Sequence, residues 1–409
     1  ANATDIAQMK KLVHEAIDSG ALGVSTSRVL GHRAMNGEPV PGTFAAEDEL
    51  YGLGEALRDA GSGVFELAPA GADGQDLGNA PKEMEWMKRL SATIQRPVTF
   101  ALLQNETEPS LWKQLLEESL EATEQGSQCF PQVAGRPFGL LIGLQTHHAF
   151  AKRPTFINIA HLPHNELVEQ LKQSSTRTAI LNETDTDPDP KILFDGMSRM
   201  IQSMLHRLYP MGEIPDYEPD PTKSFVSIAE TRNTTPEAVL YDYMLENDGY
   251  AMGMMPIFNY VDGNHDVIRE MLLHPQAVSG LSDGGAHCGM ICDASIPTFM
   301  LSHWTRDRTR GKKLPLEWII KKQTNDTASL YGLNDRGTLQ TGKRADINVI
   351  DYNALTLHGP KMAHDLPAGG RRLLQEATGY DYTIVAGTIT RQFGQDTGQR
   401  PGRLIRGAR

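Results

Sequence analysis

The strongest constraint on this chain is a rhythm. Over the first 145 residues, amphipathic helical stretches alternate with short, almost wholly apolar runs. "DIAQMKKLVHEAIDSG" sets Ile6, Met9, Leu12, Val13 and Ile17 at helical spacing and stops at Gly20. "ALGVSTS" follows as a strand. The pattern then repeats as "AEDELYGLGEALRDAG" with "GVFELAP", "KEMEWMKRLSATI" with "RPVTFALLQ", and "PSLWKQLLEESLEATEQG" with "RPFGLLIGLQ". Strands joined through helices run parallel, because a parallel pair needs a long crossover. Runs this apolar predict βα units whose strands are buried on both faces.

From His147 to Gly263 the rhythm loosens. "ETDTDPDPK" and "GEIPDYEPDPTKS" are Pro- and Asp-rich connectors around a predicted helix, "KILFDGMSRMIQSMLHRL". "TPEAVLYDYMLEN", capped by Thr235, and "HDVIREMLLHP" are further helices. The second leads into "QAVSGLSD", a fifth strand of the parallel type. Beyond it, His303, Arg306 and Arg308 share an amphipathic segment, where an arginine could grip a substrate carboxylate through two hydrogen bonds, or the three could form a solvated face. The tail changes character: "GTLQTGKRADINVIDYNAL" and "YTIVAGTITRQFG" alternate with glycine turns. Residues 1–334 therefore read as one α/β portion with an irregular excursion at about 146–263, and 335–409 as part of a small β domain. The basic ending "TGQRPGRLIRGAR" is expected to be loose.

Composition narrows the partners. A net charge of −12 argues against a nucleic-acid or anionic-membrane surface and is compatible with a small-molecule substrate. The three cysteines, Cys129, Cys288 and Cys292, form no CxxC pair, which favours a reducing, cytoplasmic setting. No run of ~18 apolar residues predicts a membrane span, and "ANATDIAQMKK" does not read as a signal peptide.

Three stretches carry a resemblance. "GALGVSTS", "GLSDGGAH" and above all "RGTLQTGKRADINVID" resemble the amidohydrolase superfamily, and within it the N-acyl-D-amino-acid deacylase group. The resemblance implies a distorted TIM (β/α)8 barrel plus a small β-sandwich, homo-oligomers, and a site for one or two divalent ions, Zn²⁺ foremost. Its usual ligands are an HxH pair on the first strand, a bridging residue, histidines ending the fifth and sixth strands, and an aspartate ending the eighth. Asp283 matches that aspartate, a metal ligand that can also shuttle a proton. His287, four residues on, is the candidate for substrate or oxyanion contact.

The chain departs from that pattern. It holds no HxH: "HLPH" has the wrong spacing, and the adjacent His147 and His148 would point to opposite faces of a strand. If "AVSGLSD" is the eighth strand, the four before it are the fourth to seventh. We therefore expect ~150 or more residues of the natural protein to lie outside this sequence or on a separate N-terminal polypeptide, by the barrel's usual length. Where the resemblance places histidines, "FELAP" and "FALLQ" offer Glu66 as a metal ligand and Gln104 as a substrate-orienting amide. Ser25, Thr26 and Arg28 follow as pocket residues. The expected function is metal-dependent hydrolysis of amide C–N bonds in small N-acyl amino acids. The alternatives are a cyclic-amide hydrolase of the hydantoinase or dihydroorotase kind, and a catalytically inactive amidohydrolase-like subunit.

Overall fold

A computed structural model describes residues 1–409 except Met35, Asp73, Pro190, Lys191, Leu193, Leu281, 283–288, Ala408 and Arg409. Helix α1 (Ala3–Asp18) opens on a reciprocal cap, in which the Asn2 side chain accepts from the Asp5 amide and the Asp5 side chain accepts from the Asn2 amide. Strand β1 (Gly23–Ser27) follows, then α2 (Glu47–Ala60), β2 (Val64–Ala68), α3 (Ala80–Ile94), β3 (Val98–Ala101), α4 (Leu111–Glu124) and β4 (Cys129–Val133). The four strands pair in chain order, all parallel. Next come β5 (Gly139–Ile142), β6 (Tyr209–Pro210) and β7 (Gly253–Pro256), which form a separate antiparallel sheet. Strand β8 (Val278–Ser279) then returns to pair parallel with β4 and completes a five-stranded sheet.

The fourth strand differs from expectation. "RPFGLLIGLQ" was the expected partner of β3, whereas "CFPQV" takes that place and "GLLI" pairs antiparallel with "GMMP". The turn through Gly126, in the left-handed region at φ 91°, brings the chain straight from α4 onto β3. Pro131 disguises the strand, since proline rarely sits inside a sheet.

Register explains which face does what. Val24, Phe65, Val98 and Cys129 stand in one row across β1–β4, on the face where Phe65 meets Trp86 of α3 edge-on at 6.3 Å. The next row, on the opposite face, reads Ser25, Glu66, Thr99 and Phe130, with Gln132 two residues beyond Phe130. The sheet was expected to be apolar on both sides. Instead Ser25 is exposed and Glu66 half-buried.

The excursion between β4 and β8 carries its own apolar cluster, including Leu140, Phe150, Ile201, Leu240 and Met255. At 347–396 the chain forms a four-stranded antiparallel sheet and a hairpin between Lys361–Leu366 and Gly370–Leu374. The tail is anchored rather than loose, for the Gly407 amide donates to the Gly20 carbonyl at 2.9 Å.

His148 lies inside the excursion, 4.5 Å from the Phe156 ring, and accepts at Nδ1 from the Phe150 amide. Burial pushes its pKa down to about 3. The unfolded chain takes up this proton near pH ~6.5 and the fold does not, so stability falls as pH drops from ~6.5 towards that value. His148→Gln should flatten this slope. Urea midpoints across that range test it, and an unchanged slope would count against the assignment.

Candidate functional site

The C-terminal ends of the five parallel strands lie side by side, the edge at which parallel α/β folds build their sites. Glu66 of β2 accepts at Oε1 from Gln132 Nε2 of β4 at 2.9 Å, spanning β3. Beneath that span Thr99 donates its hydroxyl to the Phe130 carbonyl. A Cβ on Gly280 would stand 3.1 Å from Gln132 Oε1, so the exit of β8 passes directly over this pair. Burial and the nearby Glu66 charge push the Tyr331 hydroxyl up to about 12, which keeps it protonated beside the carboxylate. Asp283 and His287, on the same exit, lie outside the described residues.

Ser25 shares the Glu66 row, whereas Arg28 and Gln104 are engaged elsewhere. Arg28 donates from Nε to both Glu83 oxygens, at 3.0 and 2.8 Å, and from Nη1 to the Ala45 carbonyl. Glu83 in turn accepts from the Ala70 amide, so Arg28 ties α3 to the ends of β1 and β2. Gln104 is buried: its amide donates to Asn259 Oδ1 at 2.7 Å, Nε2 donates to Asp262 Oδ2 at 3.1 Å, and Oε1 accepts from the Val261 amide. Its side chain fastens the 259–262 loop to the end of β3.

A second constellation was not anticipated. Glu218 comes from the Pro-rich connector of the excursion. His265 stands at the N-cap of the helix Asp266–Leu273. His303 opens a π-helical turn, His303–Asp307, that continues the helix Ile296–Ser302. Wide turns of this kind recur at functional positions. His303 Nε2 lies 3.2 Å from both His265 Nδ1 and Glu218 Oε2, and His265 Nδ1 lies 3.8 Å from Glu218 Oε2. Among the described residues, this is the group of three whose ligand atoms converge as a metal site requires.

Arg308 grips Glu218 through two bonds, Nη2 to Oε1 at 2.9 Å and Nε to Oε2 at 3.1 Å, and reaches Asp266 Oδ1 at 2.8 Å. The fork expected for a substrate carboxylate is thus taken up, at Arg308, by a carboxylate of this chain. Burial by itself would raise the Glu218 pKa, but hydrogen bonds from His303 and Arg308 outweigh it and hold the carboxyl well below its usual range. Burial, reinforced by His303, drives His265 far below an ordinary histidine. Its Nε2 faces the Tyr217 carbonyl at 2.8 Å, which can only accept, so Nε2 carries the proton and Nδ1 presents a lone pair.

Removing one side of this buried pair leaves the other uncompensated. Arg308→Met should cost about 3–5 kcal/mol. Adding Glu218→Leu should restore part of that loss. Denaturant unfolding of the single and double variants measures both, and strict additivity would contradict the pairing.

Residues 239–391 match the family described as the amidohydrolase family. Uncharacterized proteins of Mycobacterium bovis and Mycobacterium tuberculosis are each 26% identical over 97% of this chain, which spans 64% of their length. The fold resembles D-aminoacylase, described as defining a novel subset of amidohydrolases, with 20% identity, a TM-score of 0.57, and coverage of 99% of this chain and 67% of that one. A second D-aminoacylase structure, reported with a binuclear metal center, gives 19% identity and the same score and coverage. These findings bear out the resemblance read from "GLSDGGAH" and "RGTLQTGKRADINVID".

Proposed function

We propose, from the match of residues 239–391 to the amidohydrolase family and the likeness of the fold to D-aminoacylase, that the protein hydrolyses amide C–N bonds in small molecules, with N-acyl amino acids as the substrate class. The observation that carries the reading is the Glu66–Gln132 pair on the polar face of the parallel sheet, under the exit of β8.

Zn²⁺ or a similar divalent ion fits part of this donor set. Gln132 occupies Oε1 of Glu66, and no described hydrogen bond reaches Oε2. Glu66 would hold the ion through that oxygen, with Asp283 as a second carboxylate. When bound, such an ion lowers the pKa of its water to ~7 and polarises the carbonyl. Asp283 would serve as the proton shuttle, accepting a proton from the attacking water and passing it to the leaving nitrogen. Gln132 fixes the rotamer of Glu66, while Tyr331, kept protonated, can donate to a developing oxyanion. His287 is proposed as a further oxyanion contact. Homo-oligomerisation is proposed on the resemblance alone.

The test is turnover by the full-length, metal-loaded protein on N-acyl-D- and N-acyl-L-amino acids and on a hydantoin. Hydrolysis of a linear substrate, with Glu66→Gln lowering kcat/KM by roughly 10²–10⁴-fold, supports the reading. Preference for the hydantoin would move it to the cyclic-amide class. Absence of turnover on every substrate, or an unaffected Glu66→Gln, would overturn it.

A further inference from the structure

We propose that Glu218, His265 and His303 form a divalent transition-metal site of their own, separate from the strand-end face. Two ligands ~2.0–2.1 Å from Zn²⁺ at a tetrahedral angle stand about 3.3–3.4 Å apart. The three atom pairs here are 3.2, 3.2 and 3.8 Å apart. Two imidazole nitrogens and one carboxylate oxygen make up the donor set of several zinc sites that keep an open fourth position.

The protons agree with this geometry. His265 Nδ1 and Glu218 Oε2 both present lone pairs towards His303 Nε2. In the unmetallated protein a single hydrogen on His303 Nε2 must serve both. One cation in place of that hydrogen would satisfy all three groups together.

The surroundings are those of a prepared ligand set. A backbone carbonyl fixes the tautomer of His265, as second partners of metal-bound histidines commonly do. The other oxygen of Glu218 is held by Arg308 Nη2 and by the His265 amide at 2.8 Å, so the carboxylate cannot rotate away. The guanidinium charge near the site is offset by Asp266. Phe299 stacks on His303 at 4.4 Å, and Tyr260 meets His265 edge-on at 5.5 Å, so the walls are aromatic. His265 and Glu218 are buried while His303 is partly exposed, which leaves the fourth position on its side for water. The three ligands come from the excursion, the helix before β8 and the helix after it. A bound ion would cross-link these elements and raise Tm with metal concentration.

Equilibrium dialysis of the metal-stripped full-length protein against Co²⁺ tests the site, read by metal content and by the visible absorption of four-coordinate Co²⁺. Wild type should take up Co²⁺ with a four-coordinate spectrum and a rise in Tm. His303→Gln should weaken that uptake by more than the roughly 10–100-fold expected on losing an outer partner of a ligand. Glu66→Gln removes a proposed strand-end ligand and should leave in place the portion of Co²⁺ that His303→Gln loses, so the two variants deplete separate portions and the double variant loses both. An unchanged Co²⁺ signal in His303→Gln, or loss of one and the same portion of Co²⁺ in both His303→Gln and Glu66→Gln, would overturn the proposal. No uptake by folded wild type would also overturn it and leave a hydrogen-bonded triad.

Discussion

Parallel pairing of five strands is the constraint from which the rest of this structure follows. A parallel strand cannot be reached by a tight turn, so every step along the sheet requires a crossing on one face. The crossings α2, α3 and α4 press against the apolar row that includes Phe65. The same geometry brings all strand exits to one edge and turns the intervening row, Ser25 to Phe130, to the opposite side. A carboxylate placed once, at Glu66, thereby meets an amide from two strands away without any motif linking them in sequence.

The excursion follows a different logic. It has its own apolar cluster, while Leu141, Met211, Tyr217, Met252 and Met254 pack into the main core and polar bonds add to that seam. Gln104 fastens the 259–262 loop, and the Trp304 indole donates to the Gly135 carbonyl at 2.7 Å. Arg308 adds a buried ion pair, because its partner Glu218 belongs to the excursion and its own backbone does not. Buried ion pairs add little net stability, yet they are costly to break. Such a joint selects one arrangement of the excursion more than it strengthens the fold.

Much of this was legible in sequence, for identifiable reasons. Strands β1, β2, β3 and β8 are short apolar runs behind amphipathic helices, and periodicity finds them. Strand β4 was misplaced because Pro131 speaks against a strand locally while the sheet tolerates it. That error also hid Gln132, whose phase with Glu66 appears only when β4 is set in register. An arginine of the 303–308 segment was expected to grip a substrate carboxylate, whereas Arg308 holds Glu218 of this chain, 90 residues away. Glu218 sat in a connector whose prolines suggested only a linker, and no local spacing relates it to His265 and His303. Tyr331 gave no signal beyond its place after a helix.

The insertion of a folded excursion between neighbouring strands bears on how the sheet assembles. Gln132 and Val278 are register partners separated by 146 positions (278 − 132). Pairings β1–β2, β2–β3 and β3–β4 each close over a few tens of residues, whereas β4–β8 must wait for a far longer segment to be drawn in. Loop-closure entropy grows only logarithmically with length, but non-local contacts set the pace of folding. An excursion that first condenses on its own cluster shortens the effective loop. By sequence separation alone, the β4–β8 pairing is therefore the costliest closure in the parallel sheet, and the excursion is the segment that bears that cost.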